Sequence, residues 1–136
     1  MPRQRVLVDS NVLLDVFLED GQWYKWSSVQ LQSLAQQHLL VINPVIYAEV
    51  SVGFEKIEEL EAALPVFFYT REQVPWEAAF LAGKCFLRYR RKGGARTAPL
   101  PDFFIGAHAL VRGMSLLTRD ASRYRTYFPG LDLIAP

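Results

Sequence analysis

The chain has 136 residues, and 51% of them are hydrophobic, which is enough for a substantial core in one domain over residues 1–136. Its 15 Lys and Arg residues are balanced by 14 Asp and Glu residues, so the sequence lacks the overall basic excess of many nucleic-acid-binding proteins. No apolar run is long enough to span a bilayer, and the first residues lack the pattern of a secretory signal, so we expect a cytoplasmic protein without membrane contact.

The first half of the sequence alternates between strand and helix patterns. A β-branched apolar run predicts a buried strand that ends at Asp9, and Ser10 and Asn11 can cap the helix that follows. Asn43 precedes a proline that can begin a further helix, and this helix carries Glu49. In chain order, the elements predicted here are strand 5–8, helix 12–18, helix 22–38, strand 39–42, helix 45–54 and helix 55–64.

The second half continues the alternation around one irregular segment. Gly93 and Gly94 lie within a run of basic residues and predict a mobile, positively charged loop. Cys85 lies in an apolar helical stretch and is expected to be a buried structural thiol. Asp102 opens an apolar helix, and Asp120 follows the next strand. The predicted elements are strand 66–69, helix 75–89, loop 90–99, helix 101–112, strand 114–118 and a short strand 131–134.

This order of elements predicts an α/β fold with a mainly parallel sheet and helices on both faces. Ligands of such sheets bind at the carboxyl ends of the strands. Asp9 and Asp120 each follow a predicted strand, while Glu49 and Asp102 lie on or beside the first turns of helices that can face the same edge. We therefore expect these four acids to meet in one cleft.

Converging carboxylates repel each other, so they must either take up protons or hold a cation. Ligation by oxygen alone favours Mg²⁺ or Mn²⁺. His38 and His108 are far apart in the sequence and have no neighbouring ligand pattern, so zinc is not expected. A hard cation can activate water and neutralise charge on a scissile phosphate, which makes phosphodiester hydrolysis the natural reaction.

Each acid also has a structural interpretation. Asp9 can end a strand, Asp102 can charge a helix N-terminus and Asp120 can stabilise a turn. Glu49 is harder to explain in this way, because it lies between apolar residues where a lone buried carboxylate is costly, although a rotated helix would expose it.

Four segments of the sequence resemble the PIN-domain ribonucleases, in particular the VapC toxins of prokaryotic toxin–antitoxin pairs. In family order, these segments are residues 8–15 (VDSNVLLD), 44–50 (PVIYAEV), 100–109 (LPDFFIGAHA) and 117–120 (LTRD). The resemblance covers nearly the whole chain and implies a PIN-like three-layer α/β/α fold.

The resemblance also implies roles for individual residues. Asp9, Glu49, Asp102 and Asp120 would form the catalytic metal site, with Asn11 and Thr118 supporting it by hydrogen bonds. Helix capping and a strand-end hydroxyl bond explain Asn11 and Thr118 about as well. The basic loop would flank the acidic cleft and contact RNA phosphates through Arg90, Arg91, Lys92 and Arg96, unless it is simply a solvated surface.

The leading hypothesis is thus a Mg²⁺- or Mn²⁺-dependent endoribonuclease toxin, which the resemblance implies is homodimeric and inhibited by a cognate antitoxin protein. One alternative is a structure-specific DNA nuclease, for which the compact chain has little room to hold a flap. Another is a catalytically silent RNA-binding module of the same fold, against which the intact set of acids argues.

Overall fold

A computed structural model describes residues 4–97 and 100–136 and places a parallel β-sheet at the centre of the molecule. In these two ranges the sheet has five strands in the order β3-β2-β1-β4-β5, and every neighbouring pair is parallel. Their bounds are β1 Arg5–Val8, β2 Leu39–Ile42, β3 Tyr69–Arg71, β4 Ser115–Leu117 and β5 Leu133–Ile134.

Within the described residues, seven helices flank this sheet and complete a three-layer α/β/α fold, as the sequence predicts. They are α1 Ser10–Phe17, α2 Tyr24–Gln37, α3 Pro44–Val50, α4 Ile57–Ala63, α5 Trp76–Arg91, α6 Pro101–Val111 and α7 Ser122–Tyr127. Helices α1, α2 and α3 pack together, and α5 packs extensively on α6. In the part of the chain that the structure describes, no helix is long and apolar enough to cross a bilayer.

The core is formed where the central strands are covered on both sides. Leu7, Val41 and Leu116 come from three neighbouring strands and are inaccessible to solvent. Parallel strands that are buried on both faces need continuous apolar runs, which explains why the sequence predicts β1 and β2 with their observed bounds. Cys85 is also buried, in agreement with a structural thiol.

Strand β3 lies three residues later than the sequence predicts. The carbonyl of Pro65 accepts hydrogen bonds from the amides of Phe68 and Tyr69, which folds residues 65–68 into a turn and leaves Phe67 on the surface. The strand then includes the exposed residues Thr70 and Arg71, because it is the edge of the sheet, where one face need not be apolar. The prediction of a strand over 66–69 was therefore wrong in its position along the sequence.

Other parts of the chain also differ from the sequence prediction. The helix expected over 45–54 ends at Val50 and continues as a 3-10 turn over Ser51–Gly53. The helix Ser122–Tyr127 was not predicted, because its short sequence mixes polar and aromatic residues without a clear apolar face. Arg90 and Arg91, which were assigned to the basic loop, lie in the last turn of α5, while Ala98 and Pro99 of that loop lie outside the described residues.

The strand order fixes where a ligand can reach the sheet. From β1 the chain adds β2 and then β3 on one side of the sheet. It then crosses back over β1 and adds β4 and β5 on the other side. The crevice at such a switch point, beyond the carboxyl ends of the strands, is the usual ligand site of open α/β sheets. Asp9 follows β1 and Thr118 follows β4, so both lie at this crevice.

Candidate active site

Asp9 is the centre of the hydrogen-bond network at the switch point. It is the N-cap of α1, and its Oδ1 accepts the backbone N–H of Ser10 at 2.8 Å. Its Oδ2 accepts the hydroxyls of Thr118 and Tyr124, each at 2.9 Å. The carboxylate is buried, and among the described residues it contacts only neutral donors, so its charge has hydrogen bonds but no cationic partner.

Asp102 lies on the first turn of α6, where the aligned peptide dipoles favour a negative charge. The hydroxyl of Tyr124 that donates to Asp9 also lies 3.4 Å from Asp102 Oδ1, so one buried phenol connects both acids. The other oxygen, Oδ2, accepts a hydrogen bond from Arg123 Nη1 at 3.3 Å. Asp102 is therefore linked to Asp9 through the Tyr124 hydroxyl and is paired with the guanidinium of Arg123.

Glu49 enters the same site from α3. The hydroxyl of Ser10 donates to Glu49 Oε1 at 2.8 Å, and Ser10 is the residue that follows Asp9. Asn43 begins α3 by accepting the amide of Ile46, which is the cap that the sequence predicts for this helix. We call Asp9, Glu49 and Asp102 the acidic cluster, since each is linked to another member through one hydroxyl group.

Asp120 lies at the rim of the cluster and is exposed. Thr118, two residues earlier, donates to Asp9, and its Oγ1 accepts the backbone N–H of Asp120 at 3.2 Å. Asn11 donates to Thr118 at 3.2 Å and lies 3.5 Å from Asp9 Oδ2. The structure thus brings all six sequence-predicted site residues to one crevice, with Asp120 nearest to solvent.

Two residues of this region received no role from sequence reasoning. Tyr124 was missed because its helix was not recognised. Asp15 lies buried in α1, where it pairs with Arg119 Nε through both oxygens at 2.9 and 3.1 Å and accepts the hydroxyl of Ser27. Because Arg119 lies between Thr118 and Asp120, this ion pair fixes the turn that carries both residues. A carboxylate on the apolar helix predicted over 12–18 was the available signal.

The electrostatics of the cluster favour protons or a cation. Burial raises the pKa of Asp9 from 3.8 to about 6, and the nearby charges of Asp102 and Glu49 add to this, although hydrogen bonds from Thr118 and Tyr124 oppose it. Burial also raises the pKa values of Asp102 and Glu49. The pKa of Tyr124 is raised well above 10, first by burial and then by Asp9, so this residue stays a neutral donor.

The donor set suits a hard divalent ion. Carboxylate oxygens with mutual repulsion are the ligands that Mg²⁺ and Mn²⁺ prefer. Across residues 4–97 and 100–136, however, no three Asp, Glu, His or Cys side chains are arranged so that they could hold an ion as they stand. The reason is visible in the contacts, since Asp9 faces hydroxyl donors and Asp102 faces Arg123. An ion at this site would therefore require these side chains to rearrange.

The four residues predicted to bind RNA form one basic segment at the end of α5 and just beyond it. Arg91 and Lys92 are exposed. Arg90 folds the segment back on itself by donating to the carbonyls of Gly94 at 3.1 Å and Arg96 at 2.8 Å. The segment lies near the acidic site, because Tyr89 lines a cavity together with Asp102 and Asp120.

His108 is buried away from the acidic cluster. It lies between the side chains of Asn43, 2.9 Å from Nδ1, and Glu72, 3.3 Å from Nε2. Because the Asn43 amide nitrogen can only donate, Nδ1 accepts and Nε2 carries the proton. This arrangement ties the start of α3 to the last turn of α6.

Solved structures of VapBC and FitAcB share this fold. The chain aligns with VapBC2 of Rickettsia felis, bound to a DNA fragment from its promoter, with a TM-score of 0.73 and 19% identity over 98% of this chain and 99% of that one. VapBC-1 of nontypeable Haemophilus influenzae aligns with a TM-score of 0.72 and 18% identity over 97% and 98% of the two chains. FitAcB of Neisseria gonorrhoeae gives 0.69 and 16% over 95% and 96%.

The sequence comparison assigns the family. No curated protein matches this chain in sequence. Residues 6–129 match the PIN domain, a range that begins in β1, ends beyond α7 and includes every residue of the acidic cluster together with Thr118, Asp120 and Tyr124. The chain therefore belongs to the PIN domain family.

Proposed function

We propose that this protein is a metal-dependent endoribonuclease that acts as the toxin of a toxin–antitoxin pair. The observation that carries the proposal is the acidic cluster, in which the buried carboxylate of Asp9 shares the Tyr124 hydroxyl with Asp102 at the switch point of the sheet. Membership of the PIN domain family supports a nuclease, and PIN domains generally use divalent metal ions.

In this proposal Asp9, Glu49 and Asp102 hold Mg²⁺ or Mn²⁺, and Asp120 joins them from the rim. The ion would supply a water of lowered pKa and positive charge beside the scissile phosphate. Asp9 is positioned by the helix cap and by Thr118, and the other acids would rearrange around it to complete the site. Asn11 and Thr118 keep their predicted supporting roles, to which we add Tyr124 and the Asp15–Arg119 pair.

The chain's own residues would then act on RNA by position and charge. Tyr124 remains protonated and fixes the relative orientation of Asp9 and Asp102. The exposed acid Asp120 is the member best placed to accept a proton from water entering at the rim. The basic segment with Arg90, Arg91, Lys92 and Arg96 would attract the RNA backbone toward a cluster that otherwise repels it.

A toxin–antitoxin complex from Klebsiella pneumoniae also shares this fold, which supports a protein partner for this chain. A cavity of about 320 Å³ between α3 and α4 offers a place for an apolar segment of such an antitoxin, since Tyr47, Phe54 and Ile57 line it.

A homodimer, also implied by the family resemblance, is supported by a second surface. Trp76, Phe80 and Leu87 lie exposed along α5.

The test is cleavage of matched single-stranded RNA and DNA oligonucleotides with EDTA, Mg²⁺ or Mn²⁺. Wild-type protein should cleave RNA only with a divalent ion, and Asp102→Asn should not cleave it. Asp132→Asn is the matched control, because Asp132 bonds Ser115 at the opposite end of β4. Cleavage of DNA alone would replace the proposal with the DNA nuclease, and binding without cleavage would replace it with the silent module.

A further inference from the structure

A cavity of about 340 Å³ opens beside the acidic cluster, and the mechanism proposed above does not use it. It lies between the end of α5, the first turn of α6 and α7. Asp102 and Asp120 form one part of its wall, and the α7 residues Ser122, Arg123 and Thr126 form another. The cavity therefore extends directly from two acids of the active site, Asp102 and Asp120.

Two tyrosines complete the wall, but their ring faces are already engaged. Tyr89 is stacked on Phe86 and lies against Gly94, where a Cβ atom would come within 2.2 Å of its ring. Tyr127 is covered by the cations of Arg88 and Lys92, which lie 5.5 and 5.3 Å from its ring centre. The cavity is thus shaped by aromatic rings that are not free to stack on a nucleobase.

The charges around the cavity are divided between its two sides. Asp102 and Asp120 carry negative charge next to the acidic cluster, whereas Arg123, Arg88 and Lys92 carry positive charge along α7 and the end of α5. An anion that enters here meets cations on the side away from the cluster. The oxygens of Ser122 and Thr126 can in addition accept hydrogen bonds from a hydroxyl group.

Arg123 is held only loosely by its present partner. It makes a single 3.3 Å contact with Asp102, and its side chain is 42% exposed. Exposed pairs with one long contact are weak, and a guanidinium binds a phosphate through two parallel hydrogen bonds. A phosphate group in the cavity can therefore take Arg123 from Asp102 and leave that carboxylate for an ion.

We propose that this cavity binds the phosphate and ribose of the RNA nucleotide adjacent to the cleaved bond, with Arg123 contacting the phosphate and Ser122 and Thr126 facing the ribose. The proposal rests on the ribonuclease function proposed above. It assigns the backbone rather than the base, because the cavity offers cations and hydroxyl oxygens but no open aromatic face. It also provides a contact for the 2′-hydroxyl, the group that distinguishes RNA from DNA.

The test measures RNA affinity by fluorescence anisotropy with a short labelled single-stranded RNA in Mn²⁺, using an Asp9→Asn background to prevent cleavage. Arg123→Ala should weaken binding about tenfold and reduce the slope of log affinity against log salt by about 0.7, the value for one phosphate contact in a single strand. Arg125→Ala removes the same charge from the exposed side of α7 and is the matched control. Arg123→Lys should recover the salt slope but only part of the affinity.

Manganese binding by the chain with Asp9 intact separates this role from a structural one. Calorimetry should show that Arg123→Ala binds Mn²⁺ at least as tightly as Arg125→Ala, because a competing cation has been removed from Asp102. Loss of both Mn²⁺ and RNA affinity in Arg123→Ala would instead mean that Arg123 supports Asp102, and it would overturn the proposal.

Cleavage by the wild-type chain, measured in parallel, distinguishes failure of this proposal from failure of the function. If wild-type protein cleaves RNA and the Arg123→Ala and Arg125→Ala variants bind it with equal affinity and salt slope, the cavity is not the nucleotide site and the nuclease function stands. If wild-type protein neither binds nor cleaves RNA, both proposals fail together.

Discussion

Replacing Asp9 with Asn should abolish cleavage and yet stabilise the metal-free protein at neutral and alkaline pH. The pKa of Asp9 rises from 3.8 to about 6 on folding, chiefly because the carboxyl is buried. At about 1.4 kcal/mol per pKa unit, ionised Asp9 costs the folded state about 3 kcal/mol. Since the folded form binds the proton more tightly, this cost develops as the pH rises from 3.8 through 6 and is complete above that range.

Asn removes the charge but also one acceptor oxygen. Oδ2 accepts the hydroxyls of Thr118 and Tyr124, and each hydroxyl has a second acceptor in reach, the carbonyl of Asp120 at 3.3 Å and Asp102 at 3.4 Å respectively. The weaker bonds should cost about 1 kcal/mol in total. The net gain is then about 1–2 kcal/mol at pH 8, which corresponds to about 3–6 °C in melting temperature.

The assay is denaturation of both proteins in EDTA at pH 8 and at pH 4.5, alongside RNA cleavage in Mn²⁺. The stability difference should be present at pH 8 and largely absent at pH 4.5, where most wild-type Asp9 is protonated in the folded protein. An Asp9→Asn protein that is less stable than wild type at both pH values would refute the reasoning, because its charge would then not oppose folding.

Three other changes test separate parts of the structure. Tyr124→Phe removes the hydroxyl shared by Asp9 and Asp102, and it should lower the Mn²⁺ affinity measured by calorimetry about tenfold without unfolding the protein. An unchanged Mn²⁺ affinity would exclude an orienting role for the Tyr124 hydroxyl. Gly106→Ala would place Cβ 2.5 Å from the Phe128 ring and should cost about 1–3 kcal/mol in denaturation, whereas Gly83→Ala on open helix surface should be neutral or stabilising. Phe80→Glu should convert the proposed dimer to a monomer, as measured by the molar mass from light scattering. A variant that stays dimeric would exclude this face of α5 as the dimer interface.

The sequence predicts the sheet where burial alone determines the pattern. Strands β1 and β2 are buried on both faces, so their apolar runs carry the signal and the predicted bounds match the structure. Strand β3 fails because an apolar run, Val66 to Phe68, is used for an exposed turn anchored on the Pro65 carbonyl. No local sequence pattern distinguishes that turn from a strand. Which of the two forms depends on the path that the chain takes from α4 to the edge of the sheet.

The residues of the candidate site also differ in whether the sequence could predict them. Asp9, Glu49, Asp102 and Asp120 could be placed in one crevice because topology brings the carboxyl ends of parallel strands together. Tyr124 could not be found by this route, because its role depends on a contact with a residue 115 positions away in the sequence. Helix α7 brings that hydroxyl over the site, and the amphipathic pattern that would have predicted the helix is missing.

Asp9 and Asp15 are two buried acids whose charges the fold treats differently. Both carboxylates are nearly inaccessible to solvent and both lie at or in α1. Asp15 is matched by the guanidinium of Arg119 and by Ser27, so its burial is compensated within the fold. Asp9 receives only neutral donors from the described residues, and its neighbours Asp102 and Glu49 make its charge more costly. Among the described residues, the fold thus supplies a cation to one buried acid but not to the other, and an uncompensated buried charge at Asp9 is what the proposed metal site requires.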